Sequence, residues 1–215
     1  MRITHLGHSA VLVELDDRRI LIDPGNFSTA WHGLTGLDAI VVTHQHPDHI
    51  DMEFVPALLA ANPGAALHVE PQVVQAYDLP GATPLAVDAS VDLGPVRIHA
   101  VGGWHAVIHR DIPRIGNVGV VIASEGEPVF FHPGDALDTV PEGVDVLAVP
   151  AYGPWAAMKE TVDFVRAIGA PQGFCIHEGL LNERGWALVN GRLNEMTLTA
   201  IRDLRDATAW EVVGD

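Results

Sequence analysis

A single cysteine, Cys175, is the first scarcity in this 215-residue chain. One thiol cannot close an internal disulfide, so no oxidised framework holds the fold. Set in the apolar run Gly173-Phe-Cys-Ile176, it reads as a small buried hydrophobe, because a reactive thiol would want exposure and a cationic neighbour. Basic residues are the second scarcity: 12 Lys and Arg stand against 28 Asp and Glu, a formal net charge of −16, and no basic run occurs. That argues against nucleic acid as a partner, since its binding is driven by a cationic surface releasing counterions. An anionic small molecule stays admissible, because bound metals supply local positive charge. Uninterrupted apolar stretches never approach the ~18–20 residues of a membrane span, and the start, Met1-Arg-Ile-Thr-His5, shows no charged segment followed by an apolar core. The expectation is a soluble cytoplasmic protein acting on a small molecule, without nucleic acid or membrane. Short-period repeats and low-complexity linkers are missing too. With 48% apolar residues, the length suits a single domain over 1–215 with a sizeable core.

What is present begins with strands. Residues 3–6, 10–15 and 19–23 are short β-type runs with Asp16-Asp17 as a polar turn between the last two, and they predict an opening meander. Pro24-Gly25 ends it, and residues 25–37, rich in Gly, Ser and Thr, predict a loop able to fold over a site. The apolar run 38–43 reads as a buried strand. Asp51 is placed to cap a helix through about Ala61, with Phe54, Leu58 and Leu59 on one face and Pro63-Gly64 as the stop. A strand over 65–70, a short helix over 72–77 and two or three strands within 85–101 follow. Segments 117–123 and 129–131 pair as a hairpin across Glu125-Gly126-Glu127. Then come a strand over 144–149, a helix over 157–168, a strand over 172–176, a last helix near 194–205 and a strand over 210–213. A strand-rich meander followed by strand and helix occurs twice. It predicts two sheets packed face to face with helices outside and strand mouths along one edge.

Residues capable of chemistry concentrate at those strand ends. His44-Gln45-His46-Pro47-Asp48-His49 delivers three imidazoles and a carboxylate onto one short loop after the strand 38–43. Imidazole nitrogen and carboxylate oxygen are the ligand set of Zn²⁺ and its first-row neighbours, and packing gives no reason for such density. Histidines two apart in an extended segment point the same way, so His44 and His46 serve one ion and leave Asp48 and His49 for a second. His105 after Gly102-Gly103-Trp104, Asp135 in Pro-Gly-Asp, and His177 each sit just past a strand. They complete two sites, His44, His46 and His105 on one ion and Asp48, His49 and His177 on the other, with Asp135 between. His99, expected inside a strand, and His109, on the next loop, are rivals of His105. Asp23 reads as an acceptor orienting a ligand histidine, or equally as a turn former, and His8 as a support to the site ahead of a ligand. Trp31, His32, Trp104, His109 and Tyr152 lie on loops that would supply either a pocket wall or lids on the core. His132, beside Pro133, reads either way.

Two cations about 3.5–4 Å apart clamp both the attacking and the leaving oxygen and draw the pKa of a bridging water toward ~7, so hydroxide would serve as nucleophile. Thr43-His-Gln-His-Pro-Asp-His49 resembles the Thr-His-x-His-x-Asp-His signature of the metallo-β-lactamase superfamily. His105, Asp135 and His177 follow in that superfamily's order over nearly the whole chain. Ile3-Thr-His-Leu-Gly-His-Ser9 and Leu21-Ile-Asp-Pro24 are similar to the branch of metal-dependent hydrolases that includes the ascorbate-6-phosphate lactonase-like enzymes. The resemblance implies an α/β fold, the four-layer αβ/βα sandwich, and the same two-metal assignment. Gly102-Gly103-Trp104 and His132-Pro133 depart from common versions of the pattern. The expected activity is that of a metal-dependent hydrolase, of lactonase or phosphodiesterase type, attacking a small ester, lactone or phosphoester. Asp48 would be the catalytic residue that handles the proton. Two divalent ions are expected, zinc by default, with Mn²⁺ or Fe equally admitted by N/O ligation. The lack of basic patches disfavours a nuclease, and the intact histidine set disfavours a redox di-iron protein. The rival from another class is a metal-binding sensor or non-catalytic binding protein of the same fold.

Overall fold

Short runs of β-branched residues and leucine, closed by tight polar turns, set the strand framework. The computed structural model describes residues 1–213. The first half forms β1 (Arg2–His5), β2 (Val11–Leu15), β3 (Arg18–Ile22), β4 (Ala39–Val42), α1 (Val55–Ala61), β5 (Ala66–Val69), α2 (Val73–Ala76) and β6 (Ala82–Pro84). The second half begins with β7 (Ser90–Leu93), β8 (Val96–Trp104), β9 (Gly116–Ala123), β10 (Phe130–His132) and β11 (Val146–Pro150). It ends with α3 (Met158–Ile168), β12 (Gln172–Ile176), α4 (Glu183–Met196), β13 (Ala200–Arg202) and β14 (Trp210–Glu211). Asp16 and Asp17 both take left-handed backbone, φ 47° and 60°, the geometry that a two-residue hairpin between β2 and β3 requires.

Two seven-stranded sheets result, in the orders β14-β1-β2-β3-β4-β5-β6 and β13-β12-β11-β10-β9-β8-β7. Three apolar cores separate four layers. Val11, Val13, Ile20, Ile22, Val120 and Phe174 belong to the cluster that joins the inner faces of the sheets. Leu21, Ile40, Val42, Val55 and Leu58 pack α1 and its loops onto the outside of the first sheet. Leu147, Val149, Val162, Val165 and Leu193 do the same for α3 and α4 on the second. Each fully buried valine, leucine or isoleucine contributes roughly 1.5–3 kcal/mol, so the layers are held mainly by these faces. The αβ/βα sandwich expected from the residue pattern is the one observed. No helix among the described residues is long and apolar enough to cross a membrane.

Two elements differ from expectation. Asp51 does not cap α1; its side chain closes a turn by accepting from Glu53 N at 2.9 Å, and the helix starts at Val55 after Phe54. The last helix lies at Glu183–Met196, upstream of 194–205. Asn182 caps it by accepting from Arg184 N and Gly185 N, and Trp186, Val189 and Leu193 supply the buried stripe. Downstream, Thr197, Thr199 and Ile201 are β-branched and favour extended chain, and Ile201 pairs with Gly173 on β12.

Candidate metal centre

β1, β4, β8, β10 and β12 all end at one rim, and each releases polar side chains there. After β4 the chain turns sharply, with His49 N and Ile50 N both donating to His46 O. The loop that follows β3 lies flat against this turn: Asn26 N donates to Pro47 O, and Asp51 N to Pro24 O, each at 2.9 Å. A Cβ on Gly25 would sit 1.8 Å from Asp48 O, so only glycine fits this backbone crossing. His8, Asp23 and His177 all hold left-handed backbone, φ 54°, 49° and 62°. Such conformations are costly for residues with a Cβ, and here they aim side chains at the rim.

The side chains converge as two clusters, in each of which the potential ligand atoms lie within 4.8 Å of one another. One is His44, His46, His105 and Asp135; the other is His8, Asp48, His49 and His177. Asp135 spans them. Its Oδ1 is 2.7 Å from His177 Nε2 and 3.1 Å from His49 Nε2, and its Oδ2 is 3.2 Å from His105 Nε2 and 3.9 Å from His44 Nε2. All seven residues anticipated from the sequence therefore meet at one place. The rivals of His105 do not: His99 pairs with Ser90 across β7 and β8, and His109 is exposed beside Asp111. His8 comes closer than anticipated, its Nε2 3.0 Å from Asp48 Oδ2.

Hydrogen bonds assign the imidazole tautomers. His49 Nδ1–H donates to Asp23 Oδ2 at 2.6 Å, while Asp23 also accepts from Thr43 N and Thr43 Oγ1. His44 Nδ1 meets Thr43 Oγ1 at 3.1 Å, and His105 Nδ1 donates to Ala106 O at 2.6 Å. Asp23 thus acts as the orienting acceptor. With Nδ1 engaged in His44, His49 and His105, each of these rings turns Nε2 to the rim. His49 Nε2 faces His177 Nε2 at 3.0 Å, and His44 Nε2 faces His46 Nδ1 at 3.1 Å. His105 Nε2 and Asp135 Oδ1 are buried without a hydrogen-bond partner among the described residues. Converging imidazole nitrogens and carboxylate oxygens, several of them buried without a hydrogen-bond partner among the described residues, match what divalent cations require, and the residues present fit a metal pair.

Electrostatics divide the site, favouring neutral rings at His44 and His46 and a charged one at His49 before any cation binds. Burial, reinforced by neighbouring imidazoles, lowers the pKa of His44 well below its ordinary value and lowers that of His46, so both present neutral nitrogens. Burial alone would raise the carboxyls of Asp135 and Asp48, yet both are held well below the usual range. For Asp135 the imidazoles of His177, His49 and His44 prevail; for Asp48 the His8 hydrogen bond prevails, with help from His49 and His177. For His49, burial is outweighed by Asp135 and Asp23, which raise its pKa.

A pocket of about 460 Å³ opens over the clusters. Its walls include Phe27, Ile108, Pro154, Trp155 and Leu180, none singled out by the sequence pattern. Trp155 Nε1–H donates to Asp135 Oδ2 at 3.0 Å. Phe27 lies over His8, ring centroids 4.7 Å apart; it belongs to the 25–37 loop expected to fold over a site. Trp31 instead turns into the core and donates to Gly25 O, and His32 stacks on Phe54 at 4.1 Å. Trp104 and Tyr152 are exposed and lie outside the pocket lining, and His132 is buried beneath the rim, its Nε2–H donating to Ser9 O. Glu178, also unanticipated, accepts from His8 N at 2.8 Å. A signal for Trp155 existed in Gly153-Pro154, which breaks the chain just past β11.

A face-to-face αβ/βα sandwich with paired histidine and aspartate clusters at its strand mouths defines the class. Residues 2–172 match the model of the Beta-lactamase superfamily domain, and the chain belongs to the metallo-β-lactamase superfamily. It is 42% identical over 210 residues to protein Rv0786c of Mycobacterium tuberculosis, a match that covers 97% of this chain and 99% of that one. It is 28% identical over 202 residues to the UPF0173 metal-dependent hydrolase of Methylobacterium nodulans, covering 80% and 82%. Among solved structures, Igni18, a metallo hydrolase from Ignicoccus hospitalis, superposes with a TM-score of 0.73 at 16% identity over 99% of both chains. That likeness concerns the fold.

Proposed function

We propose that this chain is a metal-dependent hydrolase acting on a small ester, lactone or phosphoester. His44, His46 and His105 would hold one divalent ion and Asp48, His49 and His177 the other, with Asp135 serving both and zinc the default metal. The observation that carries the reading is the set of imidazole nitrogens and carboxylate oxygens facing one another 2.7–3.9 Å apart beneath an open pocket. The 28% identical Methylobacterium nodulans relative, named as a metal-dependent hydrolase, supports it. When bound, such a metal pair supplies Lewis-acid polarisation of the substrate and lowers the pKa of water. The chain's own residues do the rest. Asp48, whose side chain is 21% exposed and held at Oδ2 by His8, is placed to take a proton and return it to the leaving oxygen. Asp23 and Ala106 O hold His49 and His105 by Nδ1, so that Nε2 of each ring faces the rim. Trp155 and Phe27 supply apolar surface to the pocket wall.

This reading takes residues 1–215 as a single domain and places it in the cytoplasm, which its lone buried thiol and acidic composition favour. Metal content by mass spectrometry, with turnover of an ester, lactone and phosphodiester panel, tests the whole. His46→Ala should lose bound metal and more than about 100-fold in activity. Full metal and full activity in that variant would overturn the mechanism. Full metal loading without turnover of any substrate would leave the non-catalytic binding protein.

A further inference from the structure

We propose that the substrate is an uncharged molecule with an apolar body, cleaved at a carbonyl ester or lactone, and that phosphorylated metabolites are rejected. The proposal rests on the hydrolase reading above and narrows its substrate class. Once the seven candidate ligands are set aside, the pocket wall is apolar but for Asn26, and none of its described lining residues is lysine or arginine. The metal ions would attract a phosphate and a carbonyl oxygen alike; beyond them, sites that select phosphate add arginine forks, lysines or a helix N-terminus, and this wall offers none of these. Arg114 shares a small neighbouring cavity with His46 and His105. It is committed there: Nε donates to His105 O, Nη2 pairs with Asp138 at 3.1 Å, and the guanidinium lies over Trp104.

A second cleft, of about 570 Å³, shares Trp155 with the first. Its floor is Ala106, Leu137, Phe164 and Ala167, while Asp138, Glu160 and Asp163 stand against Arg114 alone around it. An anionic tail would meet net repulsion there, whereas an alkyl chain passing Trp155 would find apolar surface. The mouth continues the theme, with Phe27 and Val107 51% and 59% exposed. Pockets of this make-up orient a ligand by few polar contacts and gain affinity from apolar burial.

The reaction balances without another co-reactant. Water oxygen bonds to the carbonyl carbon, the bond from that carbon to the ester oxygen breaks, and the electron pair leaves with the alkoxide. One water proton travels through Asp48 to that alkoxide; the products are a carboxylic acid and an alcohol, joined as one hydroxy acid when the substrate is a lactone.

The test uses the zinc-loaded full chain with p-nitrophenyl esters from acetate to decanoate, set beside p-nitrophenyl octyl phosphate, which carries the same body on a charged centre. We expect kcat/KM to rise up to about fourfold per methylene over the series, the value of a buried CH₂, and the phosphodiester to be at least 100-fold poorer than the octanoate. Leu180→Arg, an exposed position that tolerates charge, should narrow that ratio at least tenfold. A flat chain-length series, or a preference for the phosphodiester, would overturn the proposal while leaving a hydrolase. If zinc-loaded protein turns over neither, the hydrolase reading falls, and calorimetric binding of an octyl lactam against octyl phosphate decides the ligand class: tighter lactam supports it, tighter phosphate overturns it.

Discussion

His132 shows how one buried side chain makes stability depend on pH. Its Nδ1 accepts from Gly134 N at 3.2 Å and its Nε2–H donates to Ser9 O at 3.1 Å, so no lone pair is left for a second proton. Burial pushes its pKa down from 6.5 to about 4. The unfolded chain takes up that proton near pH 6.5 and the folded chain only near 4, so stability falls as pH drops through this window and levels below it. The loss is on the order of 3 kcal/mol. His132→Gln, which keeps a donor and an acceptor, should flatten this slope in denaturant melts of metal-free protein between pH 7 and 4.5, roughly the window set by those two values. Trp155 works through Asp135. Trp155→Phe keeps the ring but removes the donor to Oδ2, and should weaken metal affinity about 10–100-fold in competition with a chelator, without changing the fold seen by circular dichroism.

At the scale of elements, the crossing of the β3–β4 loop over the histidine turn carries the site. Gly25→Ala forces two backbones apart, so bound metal and activity should fall together and stability should drop by roughly 1–3 kcal/mol, read by metal analysis and thermal melts. α3 offers a contrast. Glu160 accepts from Ala157 N at 3.0 Å and closes the start of the helix, without a hydrogen bond or ion pair to any candidate ligand. Glu160→Ala should cost about 1 kcal/mol by denaturant titration and leave metal content untouched. The sandwich was legible because its elements repeat a local rule: short β-type runs, then a helix with Val162 and Val165 on one face. The position of α4 was not legible. The stretch near 194–205 reads as a helix, but edge pairing of β13 with β12 offers Ile201 both a ladder and a core, and that tertiary gain prevails.

On the scale of the whole molecule, the two sheets meet at one rim lined with titratable groups. The metal-free chain gathers imidazole nitrogens and two carboxylates there, so ions that bind only the folded state would stabilise it by mass action, about 4 kcal/mol at a thousandfold excess over Kd. Removal with a chelator should therefore lower Tm by roughly 10 °C in a chain of this size, and Zn²⁺ should restore it. A scan without any shift would argue that the clusters do not hold ions. A formal charge of −16 adds general repulsion that salt screens.

By itself the sequence determined which candidate site residues would meet at one rim, and the layer order. His44, His46, Asp48 and His49 are neighbours whose directions follow from strand and turn geometry, and His105, Asp135 and His177 announce themselves by falling just past strands. Tertiary structure alone decided the contacts between distant segments: His8 on Asp48, Asp23 under His49, Trp155 on Asp135, Phe27 over the mouth. Those depend on where each backbone lies across the two sheets and on left-handed residues such as His8 and His177, whose side-chain directions no local periodicity encodes. The charge and shape of the pocket wall belong to that second group, and so does the choice among substrates.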